Sequence, residues 1–363
     1  MNATNRRSML WRTVAMAAAI GLALAAVFIT GQRGGERAAN SPKTAAQILA
    51  GIDPADATAY GLIGDAEMEQ GDYDQAREHY KKMIALRPDL SSYSRGGQLL
   101  WLTGHRSEAI RLLEKAIRTG GADAETTARC RATLAMMLFD DGAFVPAWQT
   151  LQPALAAAPR SLPVLLAAGR VTSARHDYGA AAQFYQRALA VAPNIAAFAA
   201  LGDLRTVQGE KAEAEKYYQQ VEALHAANLA AGQGDHLEMA RFYADHDRHL
   251  AEAVRLAEPN KLTRNVREAD TLAWVYFKHG DQARAEEAIK RALSHGNLDP
   301  TTQFHAGMIA AKKGDLSAAR RYLAAALNFN PEFSLLEAPI ARTMLQKLGR
   351  GAGSASAPPA PRR

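Results

Sequence analysis

The stretch GDYDQAREHYKKMIALRP (Gly71–Pro88) decides the fold, because it returns twice in altered form. It comes back as HDYGAAAQFYQRALAVAP (His176–Pro193) and as GDLSAARRYLAAALNFNP (Gly314–Pro331). Each copy opens on a polar turn and places an alanine five residues after the first residue of that turn. An aromatic or Leu follows four later, an Ala or Met three later, and a proline five beyond. This spacing keeps the apolar positions on one face of a helix. Proline ends it, having no amide hydrogen and clashing with the preceding turn. A second helical pattern precedes each copy, with a small residue seven positions before the turn: Gly64, Gly169 and Gly307. The unit is therefore a helical hairpin. The expectation is that this small residue meets Ala76, Ala181 or Ala319 where the helices cross. Tyr80, Tyr185 and Leu323, followed by Met83, Ala188 and Ala326, are expected to pack against the neighbouring hairpin.

The second-helix alanine recurs at Ala76, Ala109, Ala147, Ala181, Ala214, Ala285 and Ala319, at intervals of 33, 38, 34, 33, 71 and 34. This resembles the tetratricopeptide-repeat (TPR) family, whose period is 34 residues. The interval of 38 implies a short insertion, expected in the loop Gly120–Glu125. The interval of 71 is two periods, so a degenerate unit is expected near 228–265, with a turn around Asp245–Arg248. A last helix over 335–348 should cap the open core, as solenoids require. Residues 44–52 read as an N-terminal half-cap. Pro153, inside a second helix, predicts a kink or a shortened helix. The resemblance implies an all-α, right-handed superhelical solenoid of about eight hairpins over 44–349. The pair from DTLAWVYFKHG to NFNPEFS is similar to a paired repeat of bacterial exported proteins of that family.

Ahead of the repeats, Arg6, Arg7 and Arg12 precede an uncharged run, TVAMAAAIGLALAAVFIT (Thr13–Thr30). As a helix it would extend about 27 Å, close to the hydrocarbon core of a bilayer. Residues 1–30 thus read as a transmembrane signal anchor or a signal peptide. The best cleavage pattern, Ala23-Leu24-Ala25, lies inside the run, which favours an uncleaved anchor. The arginines favour a cytoplasmic N-terminus, although Arg33 and Arg37 weaken the asymmetry. The body is expected in the periplasm or extracytoplasmic space, inner-membrane anchored or exported after cleavage. Residues 31–43 read as a flexible linker and 350–363 as a disordered tail.

The chain of 363 residues carries a formal charge of +6. Residues 1–50 hold six Lys/Arg and one acid, and 350–363 hold three Lys/Arg and none. Residues 51–349 therefore carry 34 bases and 36 acids, which argues against a nucleic-acid partner. Cys130 is the single cysteine, so neither an intramolecular disulfide nor a CxxC motif is available, and it reads as a small buried residue.

In a solenoid of this kind the first helices line the concave side. First-helix residues off the core stripe are Asp65, Arg95, Gln98, Trp101, Arg129, Met136, Phe139, Arg170, Asp203, Trp274, Phe277, Phe304, His305 and Met308. Aromatics, methionines and arginines of this kind form hot spots for an extended or helical peptide, and these residues are the expected partner-binding groove. The alternative is that the aromatics are core and that Arg95, Arg129 and Arg170 are solvated ion-pair residues. Some TPR proteins grip a C-terminal carboxylate with a Lys/Asn/Arg set. Gly61 and Asp65 stand at the matching places of the first repeat, so that activity is not implied.

Asp235, His236, Glu238, Asp245, His246, Asp247 and His249 form the nearest approach to a reactive cluster. Histidines and carboxylates ligate metals, but HExxH is missing, so His236, His246 and His249 are weak candidates and no metal is expected. No GxSxG, P-loop or GxGxxG motif stands in the sequence. The expected function is a protein–protein interaction scaffold on the extracytoplasmic side, in envelope assembly, secretion or maturation. No enzyme activity, cofactor or small-molecule substrate is expected. The alternatives are a metal-binding accessory protein using residues 235–249 and a structural oligomerising solenoid.

Overall fold

The structure, a computed structural model, describes residues 54–120, 123–232 and 234–354. The apolar run Thr13–Thr30, the linker and the half-cap lie outside the described residues. So does the tail beyond Ser354. Among the described residues no helix is long and apolar enough to cross a membrane, and there is no strand.

Eight helical hairpins follow one another: α1 (Ala57–Gln70) with α2 (Tyr73–Leu86), α3 (Leu90–Leu102) with α4 (Arg106–Thr119), and α5 (Ala124–Asp140) with α6 (Phe144–Ala157). Then come α7 (Leu162–Ala174) with α8 (Tyr178–Val191), α9 (Ile195–Val207) with α10 (Lys211–Ala230), and α11 (His236–Asp245) with α12 (Leu250–Ala257). The last pairs are α13 (Val266–His279) with α14 (Gln282–Ala292) and α15 (Pro300–Lys313) with α16 (Leu316–Phe329), followed by α17 (Glu337–Ser354). The sequence punctuates these helices. Asp56, Asp89, Asp123, Asn194, Asp235, Asn265 and Asp299 each cap a first helix, their side chains accepting from its first free amides.

The second-helix alanines are buried throughout, and Ala253 supplies the missing one in the short hairpin α11/α12. Their glycine partners are not what the spacing suggested. A Cβ on Gly64 would overlap the ring of Tyr80, one on Gly169 the ring of Tyr185, and one on Gly307 the side chain of Leu323. The small first-helix residue therefore makes room for the large residue of its own hairpin, not for the alanine. A side chain the size of Leu323 contributes about 1.5–3 kcal/mol when buried.

Three local expectations are also corrected. The extra residues before Ala147 are mostly helix: α5 has 17 residues where α3 has 13. Pro153 does not shorten α6, which has 14 residues and carries Pro153 at an exposed position. The capping helix starts at Glu337 and continues to Ser354, past the expected end at 348.

The hairpins come round on themselves. The turn of the first hairpin meets the loop entering the seventh: Tyr73 Oη accepts from the Val266 amide at 2.9 Å, and Arg264 pairs with Asp72 at 2.7 Å. The second turn meets the loop entering the eighth, where Arg106 donates to the Leu298 carbonyl at 3.0 Å. There Gly104, with φ +80°, lies so close to the Gly296 carbonyl that a Cβ would overlap it. The end of α5 meets the loop leaving the eighth hairpin, Asn330 donating to the Phe139 carbonyl at 2.8 Å. One winding therefore spans six hairpins, and the second rests on the edge of the first.

Candidate functional site

The closed winding divides the concave side into two regions. Over the first three hairpins it is an open cleft of about 400 Å³, lined by α1, α3, α5 and the Tyr80 ring. Asp65 organises it: Tyr80 donates to its Oδ1 at 2.8 Å, and Arg95 Nε reaches its two oxygens at 2.8 and 3.0 Å. Arg95 also bonds Ser91. Hydrogen bonding to Asp65 raises the basicity of Arg95. Burial, followed by the Asp65 charge, pushes the Tyr80 phenol up. Met68, Glu69, Leu90, Ser94, Gln98, Thr126, Arg129 and Thr133 also line it. Gln98 and Arg129 are exposed, and among the described residues the Arg129 guanidinium has no ion-pair partner. Cys130 lies at the floor, buried as expected, and burial pushes its thiol up to about 11.

Further along, the same side is filled by the chain itself. The connector from Asn330 to Glu337 lies across α5, α7 and α9: Arg170 donates to the Phe333 carbonyl at 3.3 Å, and Leu335 packs on the Leu165–Leu201 cluster. A cavity of about 220 Å³ remains beneath it, lined among others by Arg170, Ser173, Tyr185, Asp203, Arg241 and Asp245. Beside this cavity is a knot of five charged side chains from four first-layer helices. Arg241 Nε donates to both oxygens of Asp245 at 2.7 and 2.9 Å, and its Nη1 donates to Asp270 at 3.0 Å. His305 Nδ1 donates to Asp270 at 2.8 Å, and its Nε2 faces Glu337 at 3.4 Å. Trp274 stacks on the His305 ring at 4.2 Å.

Burial works against a charge on His305. The Asp270 charge and the bonds to Asp270 and Glu337 outweigh it and lift the imidazole to about 9. Burial lifts Asp245 to about 6 against the pull of Arg241. Asp270 sits below its ordinary range although burial opposes this, because the His305 charge prevails. Glu337 is held down in the same way by its bond to His305. Asp245, His305 and Glu337 offer donor atoms within 4.8 Å of one another, the density of a metal site. Arg241 already occupies both Asp245 oxygens, and His305 Nε2 faces both Glu337 and the Arg241 guanidinium at 3.4 Å. A cation would have to displace both, so the knot is a charge-compensated support.

Several expected groove residues lie inside the fold. Trp274, Phe304 and His305 are buried in the C-terminal core, and Phe139 is buried under the Arg170 guanidinium at 4.7 Å. Trp101 is buried beneath Arg106 at 4.1 Å. The second winding and the stacking of neighbouring first helices cover them. Met136, Phe277 and Met308 are half-buried against the same clusters. Arg95, Gln98 and Arg129 do line the open cleft, whereas Arg170 holds the connector. Asp203 serves Tyr218 at 2.9 Å and His246 at 2.8 Å.

The histidines of 235–249 are not brought together. His246 donates to the Phe242 carbonyl and to Asp203, whose bond keeps it charged above its ordinary pKa despite burial. His249 faces Glu222 and Tyr243, and the exposed His236 neighbours His225. The knot itself was missed. Its signal was available as Asp270 and Arg241, charges set among apolar residues in READTLAWVYF and LEMARFYAD.

Sequence profiles described as "Tetratricopeptide repeat" match residues 57–90 and 271–332. No curated protein matches the chain. Among solved structures, MamA is 23% identical over 46% of this chain and 97% of its own, with a TM-score of 0.39. A tetratricopeptide repeat protein from Parabacteroides merdae is 17% identical over 81% of this chain and 98% of its own, with a TM-score of 0.41. YrrB, a TPR protein with an unusual peptide-binding site, is 16% identical over 53% and 99%, with a TM-score of 0.37.

Proposed function

We propose that this chain, a tetratricopeptide-repeat protein, is a non-enzymatic scaffold that holds an extended segment of a partner protein in the cleft over α1, α3 and α5. One observation carries this reading: these three first helices turn polar, accessible side chains into a shared cleft, while the rest of the concave side is filled by the chain. Ser91, Ser94 and Gln98 offer hydrogen bonds to a peptide backbone, and Arg129 offers an uncommitted positive charge. The cleft is preformed, with Asp65 fixing Arg95, so little ordering on this side opposes binding.

The scaffold acts on the extracytoplasmic side, in envelope assembly, secretion or maturation. The apolar run Thr13–Thr30 behind three arginines supports this placement. A photo-crosslinking residue at position 98 of the full chain in its membranes tests the cleft. It should capture one dominant partner, and Arg129→Glu should abolish capture while helix content is unchanged. Equal capture from Gln98 and from the exposed convex position Gln152 would overturn the reading.

A further inference from the structure

The two windings are built unequally. Most buried apolar residues from Met239 to Ala341 share one continuous cluster, whereas hairpins one to four and the first helix of the fifth divide their cores largely among separate, smaller clusters. Across the seam the apolar tie at the first hairpin is narrow: Val266 sits in the cluster of Tyr73, Tyr80 and Leu99. Beside it the two sides do not pack solid. A cleft of about 530 Å³ opens there between Asp72, Tyr73 and Gln75 on one side and Arg264, Lys290 and His295 on the other. The remaining ties are polar contacts, from the Val266 amide to Tyr73, Arg264 to Asp72, Asn265 to the Met68 and Glu69 carbonyls and Arg106 to the Leu298 carbonyl, with the Tyr73 ring against His295, Arg106 over the Phe329 ring, and close backbone approaches at Gly71 and Gly104.

We propose that this seam is a latch, and that the first three hairpins swing away from the C-terminal body as the solenoid unwinds slightly. Opening breaks the loop-to-turn contacts and the bond from Asn330 to Phe139. It lifts the connector's first residues from the end of α5 and so lengthens the open concave side beyond the third hairpin. A partner segment longer than the present cleft is admitted in this state and excluded in the closed one. What the opening admits rests on the concave face being the binding surface, whereas the opening itself is read without any partner.

The test places spin labels at Gln75→Cys and Lys290→Cys, two exposed positions facing each other across the seam, in the full chain with Cys130→Ala. Wild-type seam residues should give a main short distance and a minor longer one. Tyr73→Phe removes the hydroxyl that accepts the Val266 amide and keeps the ring. It should raise the weight of the longer distance about fivefold. Arg264→Ala, which removes a more exposed ion pair, should raise it about twofold. Should Tyr73→Phe lose helix content, Arg264→Ala decides alone. A single narrow distance in every variant would overturn the proposal, as would a longer component whose weight neither substitution moves. Photo-capture from position 98 reports on the partner separately, so a latch that opens without any capture leaves the two questions distinct.

Discussion

The Asp65–Arg95 pair and the Arg241–Asp245–Asp270–His305–Glu337 knot use the same chemistry on the same side of the solenoid, with opposite consequences. Asp65 and Arg95 are 41% and 30% exposed in their side chains, so water screens the attraction and can replace either partner. Asp270 and Glu337 are 8% and 7% exposed, and His305 is fully enclosed. A charge in the first setting is available to a ligand. In the second it is committed, because removing a partner of Asp270, His305 or Glu337 strands it without solvent. Burial, not residue type, separates the open cleft from the support.

The largest test of that difference is Asp270→Ala, which strands Arg241 and His305. Urea unfolding should show a loss of about 3–5 kcal/mol, against at most about 1 kcal/mol for Asp65→Ala. Equal losses would erase the distinction. Trp274→Ala should cost about 3–5 kcal/mol by opening a cavity against His305 and Phe304, which a thermal melt will register as a large fall in Tm. A side chain lining an open groove would leave Tm nearly unchanged.

The pH dependence sharpens the comparison further. Folding raises His305 from its ordinary 6.5 to about 9, so the folded chain keeps a proton that the unfolded chain releases between those values. The stabilisation is complete below about pH 6.5 and is lost as pH rises through 9. Denaturant titrations between pH 6 and 10 should show this slope, and His305→Gln should flatten it. Smallest of all, Gln98→Ala and Arg129→Ala should change stability by less than about 0.5 kcal/mol while reducing partner capture.

Much of the fold was legible because a repeat writes its packing locally. The alanine register located the second helices, and the fading pattern near 228–265 coincides with the shortest pair, α11 and α12. The role of Gly64 was half legible: its smallness showed, but not that Tyr80 fills the space, since spacing fixes a face and not a rotamer. The seam was not legible. It depends on small rotations accumulated over six hairpins, and no local pattern brings Val266 to Tyr73. The burial of Trp274 and Phe304 was hidden for the same reason. Of the candidate site, Arg95, Gln98 and Arg129 could be read because they project from the first hairpins, where no second winding covers them.

The seam also alters how the array comes apart. In a linear array each repeat leans only on its neighbours, so the two ends fray independently. Here Tyr73 on the first hairpin and Val266 at the seventh are in contact, and the frayable end is tied to the helix whose next turns, from Ala269 on, enter the largest core. Loss of the last two hairpins thus weakens the first. Amide exchange in α1 and α2 becomes a reporter of structure nearly two hundred residues away, and each release of the latch briefly turns a cooperative ring back into a chain with a loose end.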